Sequence, residues 1–160
     1  ENTMTEEFIT KNKELHKEID LTLRPVTIQD ADILFFWRSD KETKIHLNIQ
    51  GDIDKETHLK WLTTILEDDD SHMYIAQNEG IPVGMFELRR DDKGIHISWL
   101  IAPSERSKGI GNKMVGMFME KLEGPLHAKI WKLNSAAIKI AENYGFVANE
   151  ENSDMITYSK

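Results

Sequence analysis

The sequence predicts a mixed α/β (α+β) fold: a six- to seven-stranded, mostly antiparallel sheet with helices on both faces. Three observations lead there. Between Met73 and Ile101 apolar and polar residues alternate with period two, broken at Asn78-Glu79-Gly80 and Asp91-Asp92-Lys93-Gly94, as in three strands joined by tight turns. On either side of that stretch, apolar residues recur at helical spacing. Downstream, strands and helices alternate, and such units bring parallel pairing into an otherwise antiparallel sheet.

Taken in order, residues 1–20 read as a helical or flexible extension and residues 21–160 as one folded domain. In the extension, Met4, Phe8, Leu15 and Ile19 share a helical spacing, and Thr3 with Glu6 forms a capping-box pattern. Leu21–Val26 alternates as a strand. Thr27 is an N-cap, with Asp30 in the first turn, for a helix through Ile33, Phe36 and Trp37. A second helix from Asp54 presents His58, Leu59, Leu62, Ile65 and Leu66 on one side. The acidic run Glu67–Asp70 that follows reads as a solvated loop or as an attractor for a cationic substrate. After the meander comes a helix over about residues 109–122, with Ile110, Met114, Phe118 and Leu122 inward. Gly124-Pro125 stops it. A strand (His127–Trp131), a helix (Ser135–Asn143) ended by Gly145, and two strands around Phe146–Ala148 and Met155–Tyr158 complete the order.

Composition narrows the function. The chain has 160 residues, 20 Lys plus Arg against 28 Asp plus Glu, and a formal charge of −8. That length suits one domain. The acidic balance argues against a nucleic-acid partner, and no apolar run approaches the ~20 residues of a membrane span. The first twenty residues are too charged for a secretory signal. With no Cys, thiolate catalysis and cysteine-metal sites are excluded, and a cytoplasmic location is the expectation. His16, His46, His58, His72 and His127 show no metal-ligand spacing, so no metal is expected.

The segment from Ile95 to Val115 carries the chemistry. An apolar strand ends at Ile101, turns through Ala102-Pro103-Ser104-Glu105, and enters Arg106-Ser107-Lys108-Gly109-Ile110-Gly111-Asn112, where a helix starts. The first turn of a helix has N–H groups without intrahelical partners and a partial positive charge. Glycines there let an anion approach those amides, and Arg106 and Lys108 add charge. The combination describes a pyrophosphate cradle. It is not a dinucleotide-binding fingerprint, because Met114 occupies the third glycine's position, and the spacing of a P-loop is absent.

Arg106-x-x-Gly109-x-Gly111, three residues after Pro103, resembles the acetyl-CoA-binding motif of the GNAT superfamily of N-acetyltransferases. A second block, Asn134 through Gly145-Phe146, is similar to the later Asn…Gly-Phe motif of that family, and the element order agrees over about residues 21–158. The resemblance implies a gap between the fourth and fifth strands that takes the pantetheine arm. In it the backbones of Leu100 and Ile101 meet the pantetheine amides, while their side chains are core. It further implies that the amides of Ser107, Lys108, Gly109, Ile110, Gly111 and Asn112 hold the pyrophosphate, and that Asn134 contacts the pantetheine side as well as capping its helix. An exposed N–H on the fourth strand would polarise the thioester carbonyl.

The catalytic residues are less regular. Where many relatives carry a Tyr that protonates the leaving thiolate, this chain has Ala141. Tyr144 lies about 300° further round the helix and is either a shifted donor or a packing residue. Lys129 stands where relatives that modify protein N-termini carry a carboxylate. Two side chains qualify as the base: Glu87, in mid-strand, and His96, which shares a strand face with Ser98. Trp37-Arg38-Ser39-Asp40 and His58-x-x-Trp61 are similar to patterns in relatives acting on nucleotide-linked amino sugars. The expectation is therefore an acyltransferase that moves the acetyl group of acetyl-CoA to a small primary amine in a ternary complex, as monomer or homodimer. A CoA-binding module without turnover and a protein N-terminal acetyltransferase are the alternatives.

Overall fold

A computed structural model describes residues 19–160. The helix expected over 4–19 lies outside the described residues, apart from Ile19, which packs partly buried against the core. Strand β1 (Leu21–Pro25) leads into a single 3-10 turn (Ile28–Asp30) opened by Thr27. The Asp30 carboxylate accepts the Thr27 N–H at 2.9 Å and both arms of the Arg24 guanidinium at 2.7 and 2.8 Å. Helix α1 (Ala31–Ser39) turns Leu34 and Trp37 into the core, whereas Phe36 is 69% exposed.

A short helix that the sequence reading lacks, α2 (Lys41–His46), follows at once, its first turn capped by Asp40 on the N–H of Thr43. Helix α3 (Lys55–Glu67) starts at Asp54, which accepts the Thr57 N–H at 3.0 Å. It buries His58 and Leu62, but Leu59 and Leu66, expected on the same face, are exposed. The helix meets the sheet along the 58–62 ridge; Leu59 lies about 100° round from that ridge, and Leu66 sits in the last turn.

The meander forms as expected, from β2 (Ser71–Asn78), β3 (Ile81–Asp91) and β4 (Gly94–Ile101). Glu79 and Gly80 between β2 and β3 both have positive φ, 52° and 80°, the twist that suits a two-residue hairpin loop. Then come α4 (Ile110–Met119), β5 (Leu126–Trp131), α5 (Ser135–Asn143), β6 (Val147–Glu151) and β7 (Met155–Ser159). Helix α4 is shorter than the expected 109–122, and Leu122 packs on the core from beyond its end.

The seven strands form one sheet in the order β1-β2-β3-β4-β5-β7-β6, antiparallel throughout except between β4 and β5. Helices cover both faces. On one, α4 and α5 pack Met114, Phe118 and Ala141 over Phe86, Ile97 and Ala128. On the other, α1 and α3 pack Leu34, Trp37 and Leu62 over Met85 and Leu100. The neighbours Met85 and Phe86 thus serve opposite cores, as strand geometry requires. Parallel pairing of β4 with β5 covers two residue pairs, Ile95 with Leu126 and His96 with His127. Beyond them the two strands separate.

Candidate active site

Between the separated strands lies a cleft of about 900 Å³, lined by Ile97–Ile101 of β4 and Ala128–Trp131 of β5 and closed by α2, α4 and α5. That volume is within the range of small-molecule sites. Backbone groups facing each other across such a gap have no strand partner, and an extended ligand bearing amides can supply one.

The cleft's end is the β4–α4 loop. After a 3-10 turn at Pro103–Glu105, Ser107 and Gly109 both adopt the left-handed region, at φ 63° and 81°. The first intrahelical bond runs from the Lys113 N–H to the Gly109 carbonyl, so the N–H groups of Ile110, Gly111 and Asn112 have no partner within the helix. A left-handed residue just before a helix turns successive amides to one side, which makes a concave anion site. At Gly109 the backbone conformation is the requirement, since an added Cβ would meet only the Ile19 Cδ1, at 3.9 Å.

Leu100, Ile101, Arg106, Ser107, Gly109, Ile110, Gly111, Asn112 and Asn134 all line the cleft, and Lys108 lies outside its lining. The two loop cations are already engaged. Lys108 pairs with Glu105 at 3.0 Å. The Arg106 guanidinium is held by Asp40, by Glu42 at 2.9 Å and by the Thr43 hydroxyl at 2.8 Å, all on or just before α2. Burial pushes the Asp40 carboxyl up, but the Arg106 and Thr43 hydrogen bonds together outweigh it and leave Asp40 below the usual carboxylate range. Asn134 accepts the Ala137 N–H at 3.2 Å and so caps α5, with its side chain at the cleft wall.

The three expected catalytic side chains fall in three different places, none of them in the cleft lining. Tyr144 donates its hydroxyl to the Asn112 carbonyl at 2.6 Å, lying across Gly116 of α4. Asn143 adds a side-chain bond to Asn112 at 2.9 Å, so α5 is tied to the first turn of α4. His96 stands at the closed end of the β4–β5 pairing, its ring 5.1 Å from that of His127. Burial, with the nearby charges of Arg89 and His127, lowers it to about 4. Glu87 lies one strand back, opposite Ser98, whose hydroxyl points at its Oε2 at 3.5 Å. Ser98 itself lines the cleft. Burial raises the Glu87 carboxyl, and Arg89, Ser98 and Arg38 offset this only in part.

Arg38 belongs to a fixed stack beside Glu87. His58 is buried between Phe35 and Trp61 and bonds the Ala31 carbonyl through Nε2 at 2.8 Å. A carbonyl only accepts, so Nε2 carries the proton and Nδ1 accepts from Arg38 at 2.9 Å. The guanidinium also lies 3.7 Å above the Trp61 ring.

Residues of the cleft that the sequence reading missed include Glu42, Thr43 and His46 of α2, Leu47 just after it, Trp131 and Lys139. The Asp40 cap with Thr43 three residues on was the available signal for α2. Among the described residues no cluster of ligating side chains suits a metal, and no helix is long and apolar enough to cross a membrane.

Comparison with known proteins identifies the family and the fold. The sequence model for an acetyltransferase (GNAT) domain matches residues 20–147. No curated protein matches the chain. Among solved structures, a domain from Methanocaldococcus jannaschii superposes with a TM-score of 0.79 at 21% identity, covering 89% of this chain and 99% of its own. Aminoglycoside acetyltransferase AAC(6')-Ib in complex with coenzyme A gives 0.74 at 20%, covering 88% and 94%. Spermidine N-acetyltransferase from Vibrio cholerae with CoA and spermine gives 0.76 at 14%, again covering 88% and 94%.

Proposed function

Because the chain belongs to the GNAT acetyltransferase family, we propose that it transfers the acetyl group of acetyl-CoA to a small primary amine by direct attack in a ternary complex. The observation that carries this reading is the loss of β4–β5 pairing after His96, which opens a cleft ending at the unpartnered amides of α4. Acetyl-CoA, when bound, supplies an activated acetyl thioester. The backbones of Leu100 and Ile101 would hold its pantetheine arm, the amides from Ser107 to Asn112 its pyrophosphate, and the Asn134 amide group a polar atom of the arm. Lys139, on the cleft wall, is suited to a phosphate oxygen.

Attack requires a neutral amine. Glu87 is the proton acceptor in this reading, reached from the cleft through the Ser98 hydroxyl: the proton passes to the Ser98 oxygen as the Ser98 proton passes to Glu87. A raised carboxyl suits that task. His96, held near 4 at the closed end of the strand pair, is a poor base at neutral pH. Spermidine and aminoglycosides are named for the structural neighbours, and such polyamines and amino sugars are the first acceptors to try.

A second reading, a CoA-binding module without turnover, draws support from the Tyr144 hydroxyl, which is spent on the Asn112 carbonyl. One experiment separates the two. CoA binding is measured by calorimetry, and thiol release from acetyl-CoA is followed with a panel of primary amines. Binding with amine-dependent thiol release supports the transferase; binding with none supports the module; absence of binding overturns both.

A further inference from the structure

Arg106 stands first in the motif assigned to the pyrophosphate, yet its guanidinium is directed at α2. We propose that Arg106 is a positioning residue for α2, the acceptor-side wall of the cleft, and not a ligand of the cofactor's phosphates. The proposal rests on the acetyl-CoA reading of the cleft.

The charge balance around Arg106 opposes a phosphate role. One guanidinium faces two carboxylates, Asp40 and Glu42, and donates also to the Thr43 hydroxyl. The cluster has a formal charge of −1, so it offers a phosphate no net attraction. To reach a phosphate the side chain would have to leave three partners, and a fork that matches carboxylate geometry holds better than a point charge.

Helix α2 in turn relies on tertiary contacts, this one among them. A six-residue helix is far below the ~12–15 residues at which isolated helices become even marginal, so its position must come from tertiary contacts. Thr43 is its buried residue, and Asp40 is both its cap and a partner of Arg106. The helix also packs against β5. It therefore bridges the separation between the strands, pinned at the β4 side by Arg106, and turns Glu42 and His46 to the cleft. An acceptor amine that approaches from this face meets α2.

The test uses the full chain with Arg106→Gln, Arg106→Lys and, as a variant outside the phosphate loop, Glu42→Gln. Hydrogen exchange of residues 41–47 and the Kd for CoA are measured on each. The expected result is exchange at least tenfold faster at 41–47 in all three, with CoA affinity within threefold of wild type. Lys keeps the charge but not the fork, so it should fail to restore protection; a phosphate role predicts that Lys restores binding lost in Gln. CoA added to the wild-type protein should leave exchange at 41–47 no faster. With the amine that gives turnover in the panel, the acceptor KM should rise at least fivefold in Arg106→Gln while the acetyl-CoA KM stays within threefold. A tenfold loss of CoA affinity in Arg106→Gln, unchanged exchange at 41–47, or an unchanged acceptor KM overturns the proposal. If wild-type protein binds no CoA, the functional reading fails, and the exchange comparison still decides whether Arg106 holds α2.

Discussion

Tyr144 lies so close to Gly116 that a methyl group added at Gly116 would stand 2.3 Å from the phenolic oxygen. The ring crosses from α5 to α4 through the space a side chain would fill, and its hydroxyl ends on the Asn112 carbonyl. Gly116→Ala should therefore destabilise the protein, although Gly to Ala inside a helix ordinarily gains about 0.5–1 kcal/mol. Thermal unfolding of Gly116→Ala, Tyr144→Phe and the double variant checks this. The double variant should lose less than the sum of the singles, because removing the hydroxyl relieves the overlap.

The same geometry sets the catalytic expectation for Tyr144. Tyr144→Phe should lose about 1 kcal/mol of stability from one hydrogen bond and keep turnover within threefold. A hundredfold fall in kcat with CoA affinity intact would instead make Tyr144 the acid.

Glu87→Gln should lower turnover by ~10²–10⁴ and leave CoA binding unchanged. The acidic limb of the wild-type rate profile should fall above the usual carboxylate range, in the direction in which burial shifts Glu87. Ser98→Ala, which removes the hydroxyl between Glu87 and the cleft, should lower turnover in the same sense. A profile unmoved by both changes would leave the proton to water or to an amine already neutral.

His96 gives a stability expectation with a definite sign. Its folded pKa, about 4, lies below the unfolded 6.5, so the unfolded chain binds more protons between those values. Stability should fall as pH drops through that window, by roughly 1–2 kcal/mol between pH 7 and 5 from this group alone. The groups that face it are Arg89, Asp91, His127 and Lys129. His96→Gln should flatten the slope between pH 5 and 7 in denaturant unfolding. An unaltered slope would mean that His96 titrates normally.

Gly109→Ala places an L residue at φ 81° and should cost about 1–2 kcal/mol. It should also reduce the stabilisation given by CoA, roughly 2.7 kcal/mol at 100 times its Kd in the unaltered protein. Asn134→Asp keeps the oxygen that caps α5 but removes the amide hydrogens, so unfolding temperature should hold while CoA affinity falls. Equal affinity would leave Asn134 as a cap alone.

The strand ladders and the cleft's amide end were legible because both are local. Period-two alternation from Met73 to Ile101 fixes which side chain enters which core, and Ser107 to Asn112 forms its loop within a few residues. Helix α2 was legible only in its cap, Asp40 with Thr43 three residues on: Lys41–His46 has no apolar periodicity, and its partner Arg106 lies 66 positions after Asp40. The angular position of Tyr144 on its helix follows from the sequence, but the neighbour it meets does not. Only the packing of α5 on α4 puts a residue without a side chain, Gly116, under the ring. Leu59 and Leu66 obey the helical repeat and are still exposed, because the repeat says nothing about how wide a strip of the helix the sheet covers.

The early end of pairing between β4 and β5 also gives the sheet more borders than its seven strands suggest. Besides the outer borders at β1 and β6, the stretches 97–101 and 128–131, paired with β3 and β7 on their other sides, are two inner borders that lack a strand partner where they face each other across the gap. A bare strand border is a template for another chain. Here α2 on one side and α5 on the other stand over the gap. Changes that loosen either helix should therefore be felt first as self-association of the protein, before its cores come apart.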